Sequence, residues 1–153
     1  MRAKAEGGLG EPEIVNISAR TAVVEWGRMR FADIPQFHRS AHGRIEAALS
    51  QQGIETRGPW VTFSHPPIDD MIEIAPGVIV ESSFTPVGAV TVQEIPSGRA
   101  VRARLTGPYD QLPAAWPELM AWVSGKGLKS AGLYWEVYAD PAVPVTDLYT
   151  LLK

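Results

Sequence analysis

Two stretches of this chain repeat one another, and a duplication limits the fold more than any single motif does. Ile17-Ser18-Ala19-Arg20-Thr21-Ala22-Val23 lies over Ile95-Pro96-Ser97-Gly98-Arg99-Ala100-Val101 with a one-residue gap, and Trp60-Val61-Thr62-Phe63 corresponds to Trp135-Glu136-Val137-Tyr138. The hydrophobic period around both pairs runs in one order: a strand, a helix, then two strands. Each such unit hides one face of its sheet under its own helix. The expected fold is therefore α+β, a duplicated β-α-β-β repeat forming an antiparallel sheet, with two main helices and a groove at the repeat junction. Residues 1–12 read as a flexible leader and 13–153 as one domain, with repeat 1 at about 13–80 and repeat 2 at about 88–153.

Within repeat 1, Glu13 to Trp26 is a β-branched apolar run, broken near Ser18-Ala19-Arg20 as a bulge would break it. A loop with Gly27, Met29 and Phe31 leads to Asp33 as helix N-cap, with Pro35 in the first turn. Ile34, Phe37, Ala41, Ile45, Ala48, Leu49 and Gln52 then fall on one helical face, and Gly53 ends the helix. Trp60 to His65 is a strand closed by Pro66-Pro67, and Met71 to Ala75 is another. In repeat 2, Val90 to Ile95 bends at Pro96-Ser97-Gly98 and resumes as Arg99 to Leu105. Leu112, Trp116, Leu119 and Val123 mark the second helix; Pro113 and Pro117 predict a single turn before a regular helix opening near Trp116. Gly132 to Tyr138 and Val145 to Leu152 are the closing strands.

Composition removes several function classes. At 153 residues and 16.7 kDa the chain buries roughly 68–70% of its unfolded surface, so a core forms without a disulfide or metal staple. There is no cysteine, which excludes thiolate zinc sites, iron–sulfur clusters and cysteine nucleophiles. Net charge is −3, without the basic stripe that grips phosphates, so no direct nucleic-acid binding is expected. No apolar run spans a membrane and no apolar segment follows the N-terminal basic residues, so the expected compartment is the cytoplasm. No metal site is expected: His38 and His42 stand at i,i+4 but without an HExxH pattern, and helix packing accounts for them. Asp69-Asp70 suits a hairpin turn, and Arg99, Arg102 and Arg104 split between two strand faces. No Gly-x-Ser-x-Gly and no phosphate loop is present, and no cofactor is expected.

Glu94 to Val101, Gly107-Pro108-Tyr109-Asp110-Gln111-Leu112, and Trp135-Glu136-Val137-Tyr138-Ala139-Asp140-Pro141 resemble the second half of the gyrase-inhibitor-like (GyrI-like) small-molecule-binding family. The Gly58-Pro59 strand is similar to the family's first repeat but less distinctive, and the resemblance covers nearly the whole chain after residue 12. It implies the effector-binding domain of AraC- or MerR-type regulators, here stand-alone because no helix-turn-helix precedes it. It also implies capture of bulky aromatic, often cationic compounds through the strand glutamate, Glu136. Two alternatives come with it: a hydrolase opening cyclopropane-bearing toxins, with Glu136 as acid/base, and a protein-interaction module like the family's gyrase inhibitors.

On a pleated strand Tyr134, Glu136 and Tyr138 share one side, and Leu133, Trp135 and Val137 the other. Pattern alone fits two arrangements. Either the Tyr-Glu-Tyr side faces water over an apolar core side, or it lines a wet groove; the resemblance favours the groove. A carboxylate desolvated among rings needs compensation, from a cationic ligand or from a raised pKa that suits acid/base work. Tyr109 in the Gly-Pro-Tyr turn, Trp60 and Phe63 on the matching strand of repeat 1, Met29 before the first helix and Tyr149 on the last strand complete the candidate ligand-binding set.

Overall fold

The computed structural model describes residues 8–140 and 144–153, with backbone alone at 139 and 140. Most of the expected leader and Pro141 of the family motif lie outside the described residues. In chain order the strands and helices are β1 (Gly8–Leu9), β2 (Glu13–Ile17), β3 (Arg20–Glu25), β4 (Gly27–Arg30), α1 (Ile34–Gln51), β5 (Trp60–Ser64), β6 (Met71–Val80), β7 (Val90–Ile95), β8 (Gly98–Thr106), α2 (Leu112–Gly125), β9 (Ser130–Asp140) and β10 (Val145–Leu152). The expected α+β order of strand, helix, strand, strand is present twice, all pairings being antiparallel.

The chain divides into two compact units, Ser18–Ser97 and Gly98–Lys153 joined by the segment ending at Ile17. The boundaries fall inside the leading strand of each repeat. β2 and β3 are two halves of one run, yet β2 pairs with β8 while β3 lies between β6 and β7. Each repeat thus lends a strand to the other's sheet. Periodicity reports which residues alternate, not which strand they pair with, so this exchange has no sequence signature.

In the unit Ser18–Ser97, the strand order is β5-β6-β3-β7, and β4 follows β3 along the same edge of β6. The segment expected as a loop, Gly27–Arg30, is this short strand; its alternate burial, with Met29 inside, was hidden by a length of four residues. β6 runs five residues beyond the expected Ala75. Pro76 has no N–H to give, and it falls opposite the break between β3 and β4 at Trp26, where no ladder bond is required. Gly77 follows because a Cβ there would run into the Val23 carbonyl. Ala41, Ile45, Ala48 and Leu49 of α1 pack on Val23, Val78, Val80 and Val90, each buried valine, isoleucine or leucine contributing about 1.5–3 kcal/mol. Asp33 makes no capping bond; a 3-10 turn over Phe31–Asp33 leads directly into the helix, with Pro35 in its first turn as expected.

In the other unit, β8, β10 and β9 are consecutive, and β1 and β2 lie along the free edge of β8. α2 runs unbroken from Leu112 to Gly125, Pro117 notwithstanding, so the regular helix opens four residues before the expected start near Trp116. Pro117 removes only the bond to the Pro113 carbonyl, one turn back. Ala115, Leu119 and Val123 press on Val101, Ala103, Leu105, Leu148 and Leu152.

Candidate functional site

Glu136 lies directly opposite Leu148 in the β9–β10 ladder, and Leu148 belongs to the core beneath α2. Side chains alternate along a strand, so Tyr134, Glu136 and Tyr138 all face the helix. Of the two arrangements the alternation allowed, the one with Leu133, Trp135 and Val137 toward the helix core does not occur. Trp135 instead stacks on its register partner Tyr149 on the opposite face, centroids 5.1 Å apart and planes at 1°.

The Glu136 carboxylate is held on both oxygens. The Trp116 indole N–H on α2 donates to Oε2 at 2.8 Å, and the Tyr138 hydroxyl donates to Oε1 at 2.8 Å. Part of the residue remains accessible, but protein atoms crowd the carboxyl group itself. This burial raises its pKa, against the opposing pull of the bonds from Trp116 and Tyr138, which favour the charged form. No arginine or lysine forms a salt bridge with it among the described residues. Rings extend the setting. Tyr134 meets Trp116 edge-on at 6.0 Å, and Tyr109, half exposed in the turn before α2, meets Tyr138 at 5.7 Å.

The structure therefore brings together Glu136, Tyr138, Tyr134 and Tyr109. Tyr149 is on the other face of the sheet, directly opposite Arg102 in the β8–β10 ladder. In the Ser18–Ser97 unit, Trp60 faces α1 against His42, ring centroids 4.1 Å apart. Phe63, fully buried, is on the opposite pleat side, and Met29 is buried on β4. The sequence overlay of Trp60 on Trp135 is thus out of phase: one tryptophan faces its helix and the other faces away. Trp116 is the residue that sequence reasoning assigned only to the apolar helix stripe. Its signal was chemical, because a half-buried indole N–H needs an acceptor, and a carboxylate on the covered sheet face supplies one.

Elsewhere, charged groups are paired for structure. Glu25, buried, accepts two bonds from Arg44 at 2.7 and 2.9 Å; Asp147 is held by Arg104, and Glu13 by Arg102. His38 packs edge-on to His42, and burial followed by the neighbouring imidazole lowers its pKa to about 4. No three potential metal ligands gather among the described residues, and no helix there is long and apolar enough to cross a membrane.

Solved structures share this arrangement of elements. The C-terminal domain of EcmrR is similar over 94% of this chain and 97% of its own, at 19% identity and a TM-score of 0.77. Within the EcmrR–DNA complex the same match has a TM-score of 0.75 at 18% identity, and this chain spans 57% of that protein's length. SAV2435, solved bound to tetraphenylphosphonium, matches at 13% identity and a TM-score of 0.69 over 94% of both chains. A hydrolase encoded by lin2189 from Listeria innocua matches 99% of this chain and 96% of its own, at 14% identity and a TM-score of 0.61. No curated protein matches by sequence. These likenesses establish the fold, and the family follows from the sequence itself: the model of the GyrI-like small molecule binding domain matches residues 10–152, and the chain belongs to that family.

Proposed function

We propose that this GyrI-like domain captures bulky apolar, aromatic cations, with the Glu136 carboxylate as counter-charge. One observation carries the reading. A crowded carboxylate is held by two neutral donors and, among the described residues, by no cation. Neutral donors stabilise the negative charge but leave it uncancelled, so an apolar cation entering the site gains the whole Coulombic attraction in a low-dielectric setting. The faces of Trp116, Tyr134, Tyr138 and Tyr109 add cation–π attraction of about 0.5–2 kcal/mol. Tetraphenylphosphonium bound to SAV2435 is a ligand of this chemical type. The chain's net charge of −3 disfavours a phosphate backbone as partner. A tryptophan-fluorescence titration with planar cationic, neutral and anionic aromatics tests it, with Glu136→Gln alongside. Saturable quenching by the cations alone, weakened tenfold or more in the variant, is the expected result; equal binding of all three charge classes contradicts it.

The second reading is hydrolytic, and the raised pKa of Glu136 beside the Tyr138 hydroxyl favours it. In its ionised form the carboxylate would take a proton from water as the water oxygen attacks a strained cyclopropane carbon. The breaking C–C bond leaves its electron pair on the conjugated acceptor, which is then protonated. Mass analysis of the recovered ligand separates the two readings: a binder returns it unchanged, a hydrolase returns it with one water added.

A further inference from the structure

Thr146 is completely buried, and its hydroxyl has no hydrogen-bond partner among the described residues. It stands on the helix-facing side of β10, directly across the ladder from Tyr138, the residue that holds Glu136 Oε1. The contrast with Thr150 is instructive. Thr150 is on the same face of the same strand and equally buried, and its hydroxyl donates to the Leu133 carbonyl at 3.1 Å and shares a 2.7 Å bond with Ser130. The framework therefore satisfies a threonine where threonine serves the framework. A buried hydroxyl without a partner is destabilising, and valine has nearly the same shape without that cost. The ladder also slips by one residue beside Thr146, its neighbour Val145 pairing with Asp140 while Thr146 pairs with Tyr138. Such bulges re-aim side chains next to binding sites.

We infer that Thr146 is a specificity residue of the Glu136 site, and that the natural ligand carries a hydrogen-bonding polar group beside its charge. This rests on the cation-binding reading above. A cation that takes over Oε1 of Glu136 displaces the bond it accepts from the Tyr138 hydroxyl. Movement of the Tyr138 ring then uncovers Thr146, its neighbour at roughly 5 Å between Cβ atoms. The hydroxyl can donate or accept, so a phenol, an amine N–H or a carbonyl on the ligand answers it.

The experiment uses tetraphenylphosphonium, which has no hydrogen-bonding group, and its three isomers carrying one hydroxyl on one phenyl ring. Affinities are measured by calorimetry on the whole chain and on Thr146→Val. At least one isomer is expected to bind wild type about three- to tenfold tighter than the parent, the usual worth of one hydrogen bond, with the gain gone in the variant and the parent unaffected. Thermal melting without ligand gives an independent readout: Thr146→Val is expected to melt at the wild-type temperature or about 2 °C above it. A drop in melting temperature reveals a structural role and overturns the inference, as does parent binding with no isomer gaining. Failure of the parent to bind wild type at all contradicts the cation reading instead, and the inference falls with it.

Discussion

The Trp116 indole N–H and the Glu136 carboxylate meet at 2.8 Å, tying the second turn of α2 to the middle of β9. One contact thus belongs both to the core of the unit and to the candidate site. Removing the N–H while keeping an aromatic ring isolates its worth. Trp116→Phe is expected to cost about 1–3 kcal/mol in denaturant unfolding, the range for a hydrogen bond to a charged acceptor. A loss below a few tenths would show that the bond does not hold α2 to β9.

Glu136 makes stability depend on pH with a definite sign. Its pKa is raised on folding, so the folded state binds the proton more tightly than the unfolded chain does. The contribution is fully present below the ordinary carboxylate value near 4.5 and is lost as pH rises through the folded value. Glu136→Gln lacks this titration. The melting temperature of wild type minus that of the variant is therefore expected to fall between pH 4 and pH 8. A pH-independent difference contradicts a desolvated carboxyl.

His38 has the opposite sense. Folding lowers its pKa from 6.5 to about 4, burial being the main cause and His42 the second. The stability tied to its neutral form is complete above pH 6.5 and disappears as pH falls from 6.5 toward 4. That displacement corresponds to at most about 3 kcal/mol. His38→Gln is expected to flatten the acid limb of the stability curve, measured by urea unfolding at pH 4.5 and pH 7; an unchanged limb means that other groups set it.

Glu25 has a side chain only 8% exposed, and its charge is answered by Arg44. Arg44→Met is expected to destabilise by about 1–3 kcal/mol, kept below the fully buried range because Arg44 is half exposed to solvent. Adding Glu25→Gln removes the stranded charge and is expected to restore part of the loss in a double-mutant cycle. Additive losses would mean that the two groups do not interact.

The order of elements was legible because each obeys a local rule: β-branched runs, an apolar stripe at helical spacing, a glycine with positive φ at Gly53. Glu136 stood out as a charge inside an aromatic strand, and it was the resemblance to the GyrI-like family that singled it out. What pairing decides was not legible. Whether Tyr134, Glu136 and Tyr138 face a helix depends on Leu148 standing opposite Glu136, and β2 joins β8 through contacts between residues more than 80 positions apart. Trp116 looked like any other residue of an apolar stripe until a carboxylate stood across from its N–H. The fully buried hydroxyl of Thr146, unbonded among the described residues, is likewise a fact of three dimensions alone.

Charge discrimination at Glu136 is the centre of the account, and two ions of nearly equal size and shape measure it. Calorimetric titration of wild type with tetraphenylphosphonium and with tetraphenylborate is expected to show saturable binding of the cation and none of the anion, with Glu136→Gln losing most of the cation affinity. Equal affinity for the two ions, or a Glu136→Gln variant that binds the cation as wild type does, would contradict it.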